Sequence, residues 1–98
     1  MSNVDAYKAE LAALLKLFGA NVRSARTAKQ PLCSQERLSY ATRLHRTEIG
    51  RIEQGMVEPR LTTLMILAEG LGVTVDELLR DLSAPRERKP AANGGRWR

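Results

Sequence analysis

The stretch SQERLSYATRLHRTEIGRIEQG, residues 34–55, contains two short segments with helical spacing and one break between them. Ser34 stands where a helix N-cap belongs, and Leu38 and Ala41 form the apolar side of the first segment. The residues TRLH then interrupt the helical spacing before the second segment begins. The stretch therefore predicts two short helices joined by a turn.

The second segment predicts a helix over residues 46–54 that stops at Gly55, a favourable residue just after a helix C-terminus. Its apolar side consists of Ile49 and Ile52 alone. That orientation turns four residues outward: Arg46, Thr47, Gly50 and Arg51. A helix that only covers a core needs no arginine at these positions. Two alternatives follow for the arginines, a solvated surface or a surface that contacts a partner.

Helical spacing also flanks this stretch on both sides. A long amphipathic helix is predicted over residues 4–28, with either a bend or a division into two helices at Gly19. A fourth helix is predicted over residues 61–71. The capping box T-x-x-E at residues 74–77 opens a fifth helix, which is expected to run through Leu82.

The composition limits the class of protein. A chain of 98 residues makes one small domain with appendages, a size that disfavours a spacious enzyme cleft. Cys33 is the only cysteine, so an intrachain disulfide is excluded, and it is expected to be a small buried apolar residue. The chain has no signal-peptide pattern and no apolar run of membrane-spanning length. These features predict a soluble cytoplasmic protein.

The positive charge is concentrated near the C-terminus. Residues 1–82 contain 11 Lys and Arg against 10 Asp and Glu, a net charge of +1. Residues 83–98 contain 5 against 1, a net charge of +4. This terminal segment is rich in Pro, Arg, Ala and Gly, so it is predicted to be a disordered basic tail. The high pI is therefore only weak evidence for binding to nucleic acid.

A set of residues at positions 34–73 shares one register without gaps: Ser34, Gln35, Glu36, Leu38, Ser39, Ile49, Ile52, Glu53, Gly55, Pro59, Leu61, Leu64, Leu67, Ala68, Leu71, Gly72 and Val73. This set resembles the lambda-repressor-like helix-turn-helix family, of the Cro and xenobiotic-response-element type. The resemblance covers about residues 18–79. The segment LHRTEIGRIEQG is similar to helix three of the controller proteins of restriction–modification systems.

The resemblance implies an all-α fold, a compact five-helix bundle whose second and third helices form the helix-turn-helix. Three parts of the chain are then expected. Residues 1–16 form an N-terminal helical extension, residues 17–82 form the DNA-binding domain, and residues 83–98 form the disordered tail.

The resemblance also implies that helix three lies in the DNA major groove, with its N-terminal residues on base edges. Arg46 and Arg51 are then expected to hold guanine O6 and N7, with roughly 1–3 kcal/mol of discrimination for each such pair. Thr47 is expected to meet a thymine methyl group or a phosphate. Two interpretations remain open for Glu48, an acceptor for a cytosine amino group or a first-turn acid that favours the helix dipole.

Four residues are expected to contact phosphates. Gln35, at the start of helix two, matches a family position that bonds a phosphate. Gln54 and Arg60 match positions after helix three that approach the DNA backbone. Arg43 replaces the usual glycine of the turn, where the left-handed conformation costs a non-glycine residue roughly 1 kcal/mol, and it is expected to reach a phosphate.

The remaining matched positions are structural. Arg26 and Glu53 match a paired Arg and Glu that tie helix one to helix three. His45 stands where Ser, Thr or Asp would cap helix three, so a weaker cap is expected. A homodimer interface is expected on the last helix, at Leu78, Leu79 and Leu82. The apolar stripe of the N-terminal extension is the alternative interface.

The predicted function is a sequence-specific transcriptional regulator that binds a palindromic operator in double-stranded DNA as a homodimer. The alternative is a protein-interaction module, such as an antitoxin or a regulatory partner, that uses the same fold. An enzyme is not expected, because the sequence has no nucleophile–base set and no glycine-rich phosphate loop. No metal, cofactor, small-molecule ligand or membrane partner is expected either. The expected location is cytoplasmic, with the bacterial nucleoid.

Overall fold

The computed structural model describes residues 3–29 and 31–87, which fold into five α-helices with no strand among them. The helices are α1 (Asn3–Thr27), α2 (Gln35–Thr42), α3 (Arg46–Glu53), α4 (Leu61–Leu71) and α5 (Val75–Leu78). In the packed bundle α1 contacts α3, α4 and α5, and α2 contacts α3 and α4. The predicted all-α, five-helix fold is confirmed.

Local side-chain chemistry sets the starts of three helices. The Ser34 hydroxyl accepts a hydrogen bond from the Arg37 amide at 3.0 Å, and the Thr74 hydroxyl accepts one from the Glu77 amide at 3.1 Å. His45 also caps α3, because its Nδ1 accepts a hydrogen bond from the amide two residues on at 3.1 Å. His45 thus caps α3 with ordinary hydrogen-bond geometry, and the weaker strength of this cap stays a prediction.

The first helix is continuous through Gly19, so it is not divided into two helices there. Gly19 is buried, and a Cβ at this position would overlap the carbonyl oxygens of Ile52 and Glu53. The glycine therefore lets the backbone of α1 approach the C-terminal end of α3 closely. The helix tolerates its low propensity because the tertiary contact compensates for it.

The fifth helix is shorter than predicted and ends at Leu78 instead of running through Leu82. A contact from a distant part of the chain accounts for the early end. The Asn21 side-chain amide donates hydrogen bonds to the carbonyl oxygens of Leu78 and Arg80, at 3.0 and 2.9 Å. Asp81 then adopts a left-handed conformation with φ of 67°, which is incompatible with a continuing helix.

The core gathers apolar residues from all five helices and from the loop before α2: Phe18, Val22, Cys33, Leu38, Ile49, Ile52, Leu67, Ala68, Leu71 and Leu78. Cys33 is buried, as predicted. The expectation that Leu78 lies at a dimer interface is wrong, because Leu78 is only 1% exposed and packs inside its own protomer. It is therefore not on the surface that the last helix offers to a second chain.

The structure describes most of the expected N-terminal extension and the first residues of the expected C-terminal tail. Residues 3–16 are the first half of α1 and continue without a break into the rest of that helix. Residues 83–87 belong to the described part of the predicted tail, and the Glu87 amide donates to Glu10 Oε2 at 3.2 Å. Residues 88–98, including Trp97, lie outside the described residues. Within the described ranges, no helix combines the length and apolar character needed to span a bilayer.

Replacing Gly19 by alanine tests the close packing of α1 on α3. Gly19→Ala should lower the free energy of unfolding by about 2 kcal/mol, because the added methyl group meets rigid backbone. The measurement is urea unfolding followed by circular dichroism. Ser24→Ala is the matched control, since it introduces alanine at an exposed position of the same helix and should be neutral or slightly stabilising. Stabilisation by Gly19→Ala would contradict the packing described.

Candidate nucleic-acid interface

The third helix forms a ridge on the surface of the bundle. Ile49 and Ile52 fix its orientation, since both are almost completely buried beneath it. The residues predicted to contact bases are all exposed on this helix: Arg46, Thr47, Glu48 and Arg51. The spacing of the two isoleucines thus does orient the arginines outward, as the sequence indicated.

Two open depressions flank the ridge, and Thr47 and Arg51 border both of them. The smaller depression, of about 350 Å³, lies between α3, the start of α2 and the segment after α3. Its lining is Gln35, Arg46, Thr47, Gly50, Arg51, Gln54 and Met56. The larger, of about 670 Å³, lies between α3 and the segment leading into α4, and includes His45, Glu48, Glu58 and Arg60. The ridge is thus accessible from both sides.

The two depressions differ in charge. The smaller one is lined by two arginines and by no carboxylate. The larger one combines Arg51 and Arg60 with Glu48 and Glu58. The carboxylates that border the larger depression would repel phosphate. A polyanion is therefore attracted more strongly to the smaller depression.

A buried ion pair holds the C-terminal end of the ridge against α1. Arg26 Nε and Nη2 donate to Glu53 Oε2 and Oε1 at 2.6 and 2.9 Å, and the two side chains are 12% and 4% exposed. Arg26 Nη1 also donates to the Cys33 carbonyl at 3.0 Å, which ties in the loop before α2. The expected pair is therefore present, with the bidentate geometry that is strongest for arginine and carboxylate.

The charge of Arg26 is secure across the accessible pH range. The pKa of Arg26 is raised above its ordinary value, first by the side-chain hydrogen bond with Glu53, although burial acts in the opposite direction. A raised pKa in the folded state means that the stabilisation is fully present below the ordinary arginine pKa. This stabilisation is lost only when the pH rises through the still higher pKa that Arg26 has in the folded protein.

The same carboxylate positions Gln35, the first residue of α2. Gln35 Nε2 donates to Glu53 Oε1 at 3.1 Å, and the side chain is half-buried. This bond uses one amide hydrogen, so the second N–H and the carbonyl oxygen remain for another partner. Sequence reasoning assigned Gln35 and Glu53 separate roles and missed the link, because it spans 18 residues.

The turn between α2 and α3 contains Arg43 in the left-handed conformation, with φ of 62° and ψ of 17°. Its amide donates to the Ser39 carbonyl at 2.7 Å, and the Ser39 hydroxyl donates to the Leu44 carbonyl at 2.6 Å. These bonds hold the turn despite a conformational cost of roughly 1 kcal/mol for a non-glycine residue. The Arg43 side chain is exposed but borders neither depression.

The other two residues predicted to contact phosphate lie after the ridge. Gln54 is the C-cap of α3, and its exposed side chain borders the smaller depression. Arg60 is the N-cap residue of α4 and makes no side-chain hydrogen bond to its first turn. The amide groups of that turn therefore have no side-chain cap, and Thr62 and Thr63 border the larger depression.

Two exposed residues near the ridge were not singled out from the sequence. Tyr40 is 80% exposed and borders a third depression with Glu36, Ser39, His45 and Arg46. Met56 is 65% exposed and borders the smaller depression. An aromatic residue on the polar side of α2 was the available signal for Tyr40. Among residues 3–29 and 31–87, no cluster of three or more His, Cys, Asp or Glu side chains is suited to bind a metal.

Comparisons with known proteins also indicate a helix-turn-helix protein. A family model described as helix-turn-helix (HTH_3) matches residues 22–78. The chain is 41% identical over 64 residues to the control protein C.SmaI of Serratia marcescens, covering 65% of this chain and 74% of that protein. It is 40% identical over 63 residues to the control protein C.BamHI of Bacillus amyloliquefaciens, covering 64% and 76% respectively.

A solved structure is similar as well. The crystal structure of the restriction–modification controller protein C.AhdI from Aeromonas hydrophila matches with a TM-score of 0.61 and 36% sequence identity. The match covers 68% of this chain and 97% of that chain. The additional residues of this chain therefore lie outside the shared fold.

Removing the charge of Glu53 tests the role of the buried pair. Glu53→Gln should lower the free energy of unfolding by about 2–3 kcal/mol, because the largely buried guanidinium of Arg26 loses its counter-charge. Chemical denaturation at neutral pH measures the change. Glu58→Gln removes an exposed carboxylate in the following loop and should change stability by less than about 0.5 kcal/mol. Equal effects of the two substitutions would show that the pair does not stabilise the fold.

Proposed function

The chain belongs to the helix-turn-helix family of DNA-binding transcriptional regulators, and from that membership we propose that it binds a palindromic operator as a homodimer, with α3 in the major groove. The relatives are control proteins, and the similar structure is a restriction–modification controller. We extend that role to this chain, as a regulator that occupies a promoter and controls transcription from it.

One observation carries the proposal, namely a ridge that is anchored by buried isoleucines and exposes the side chains predicted to contact bases. Buried isoleucines and the Arg26–Glu53 pair fix the backbone of α3 before any DNA arrives. Side chains on a fixed helix lose less entropy on binding than side chains on a mobile loop. Arg46 and Arg51 are therefore well suited to read guanine O6 and N7.

The neighbouring residues fill the other proposed roles in base reading. Thr47 lies on the crest of the ridge between the two depressions, where it can meet a thymine methyl group or a phosphate. Glu48 borders the larger depression together with Arg51. Its exposed position supports both interpretations, as an acceptor for a cytosine amino group and as a first-turn acid of α3.

Phosphate contacts are proposed on both flanks of the ridge. Gln35 offers its remaining amide hydrogen and its backbone N–H at the start of α2. Gln54 borders the same depression, and Arg60 borders the larger one. Arg43 lies in the exposed turn between α2 and α3 and provides a further cation for the DNA backbone. Contacts of this kind set position and affinity without reading sequence.

The proposed dimer surface is an apolar groove between α1 and the end of the last helix. Its apolar lining is Leu14, Leu15, Phe18, Leu64, Leu79 and Leu82. The groove thus unites the two surfaces that the sequence left as alternatives, the N-terminal extension and the last helix. Leu79 is 38% exposed and Leu82 is half-buried, so both remain available for a second chain.

The position of this groove also fits a DNA-binding dimer. Glu58 and Pro59 border both the groove and the larger depression beside α3. A second chain seated in the groove would therefore lie next to the DNA-facing surface. Two copies related by a twofold axis would present two α3 helices to half-sites about one helical turn, roughly 34 Å, apart.

Selection of bound duplexes from a random pool tests the role of each residue class. The wild type should select two inverted half-sites, Arg46→Ala should relax the preference at one base pair in each, and Gln35→Ala should weaken all sequences alike. The reason is that the arginine reads a base edge, whereas the glutamine contacts the backbone. Quantitative gel shifts with the selected and altered duplexes provide the measurement.

The assignments would fail if Arg46→Ala and Gln35→Ala changed affinity and base preference in the same way. Failure of the wild type to enrich any duplex would contradict the proposed function itself. In that case, a protein partner that co-purifies in equal amount would favour the interaction-module alternative.

A charged residue in the apolar groove tests the dimer. Leu79→Glu should convert the dimer to a monomer and reduce operator affinity by tenfold or more, because one half-site alone buries too little surface. Ile66→Glu is the matched control, since Ile66 is also 38% exposed but does not border the groove. Sedimentation equilibrium measures the mass of each variant. A dimer that persists in Leu79→Glu but dissociates in Ile66→Glu would place the interface elsewhere.

A further inference from the structure

The ridge contains a glycine that the fold does not require. Gly50 is the fifth of the eight residues of α3, and its backbone is ordinary helix rather than left-handed. Glycine inside a helix is less favourable than alanine, because it loses more conformational freedom on folding. Some other advantage should therefore offset the helix-destabilising effect of glycine at this position.

The other glycines of the described residues have structural reasons. Gly19 and Gly70 lie where a Cβ would overlap α3 backbone and the Thr42 side chain, respectively. Gly55 and Gly72 adopt left-handed conformations, with φ of 74° and 70°. A Cβ on Gly50 would instead lie 3.6 Å from Gln35 Oε1 and 3.9 Å from its Nε2, which is ordinary van der Waals contact. Packing within the protein therefore leaves room for alanine at position 50.

The surroundings of Gly50 indicate what uses the space. Gly50 lines the smaller depression together with the proposed base-reading arginines and the proposed phosphate contacts Gln35 and Gln54. The depression carries two cations and no carboxylate, and the exposed Met56 side chain adds apolar surface. A group that enters it would meet the Cα and backbone of α3, with cations on the border.

We infer that an apolar group of bound DNA, a thymine 5-methyl or a deoxyribose C–H group, packs directly on the α3 backbone at Gly50. The missing side chain then sets how deeply the ridge enters the major groove. This inference rests on the proposed function and adds Gly50 to the residues that determine specificity. Glycine is the residue that lets a backbone approach a ligand this closely, and thymine methyl groups are read by apolar contact.

Gly50→Ala is the central test, because it should stabilise the fold and at the same time weaken DNA binding. The melting temperature should rise by roughly 3–6 °C, since alanine favours the helix. Affinity for the duplex selected by the wild type should fall roughly tenfold or more, because the methyl group occupies the space that DNA needs. Non-specific binding to a scrambled duplex should be unchanged. Ser24→Ala, which adds helix propensity on exposed α1 surface, should leave affinity at the wild-type value.

Deoxyuridine substitution distinguishes the two possible DNA groups. If a thymine methyl packs on Gly50, replacing that one thymine in each half-site by deoxyuridine should restore most of the affinity of Gly50→Ala. If a deoxyribose packs there, no such replacement restores affinity and the loss persists. In a Gln35→Ala background, Gly50→Ala should still reduce affinity, because the effect does not act through that side chain. Either pattern supports close approach of DNA.

Wild-type affinity in Gly50→Ala, or a loss of affinity that disappears in the Gln35→Ala background, would overturn the inference while leaving the proposed function intact. A wild-type chain that selects no duplex would instead overturn the proposed function and this inference together.

Discussion

The bidentate ion pair between Arg26 and Glu53 joins three parts of the molecule at one carboxylate. Arg26 connects α1 to the end of α3 and to the loop before α2, and Glu53 also accepts a hydrogen bond from Gln35. Without a fixed Glu53, the isoleucines beneath α3 would still bury apolar surface but would define its axis less strictly. Burial therefore holds the helix on the bundle, and the bonds of Glu53 to Arg26 and Gln35 set its position against α1 and α2. A base-reading surface needs both, because hydrogen bonds to base edges tolerate little displacement.

Most helix boundaries could be predicted from the sequence because their signals are local, whereas the Arg26–Glu53 pair, which spans 27 residues, was expected only from the family resemblance. Ser34 and Thr74 cap their helices, and Gly72 ends α4 in the left-handed conformation. The isoleucine spacing in α3 was sufficient to orient the outward residues. Patterns of this kind depend on neighbours within four residues, which a single sequence displays directly.

The features that sequence reasoning missed depend on distant parts of the chain. Asn21 ends α5 by donating hydrogen bonds to carbonyl groups 57 and 59 residues away, so this helix is shorter than predicted. The family resemblance favoured Leu78 as part of a dimer surface, whereas it is buried in the core. Gly19 was expected to interrupt α1, whereas it lets the α3 backbone approach α1 closely. Glycine thus has different roles at two positions of this chain. At Gly19 the protein fills the space itself, and at Gly50 the space remains open toward the proposed DNA surface.

The central claim is that outward groups on a fixed α3 read base edges, and single-atom changes in DNA test it most directly. Guanines of the selected operator would be replaced one at a time by 7-deazaguanine, which lacks the N7 acceptor, and affinity would be measured for wild type and Arg46→Ala. The account predicts one guanine in each half-site where the replacement weakens the wild type roughly tenfold and leaves Arg46→Ala unaffected. Losses of equal size in both proteins at every guanine would contradict it.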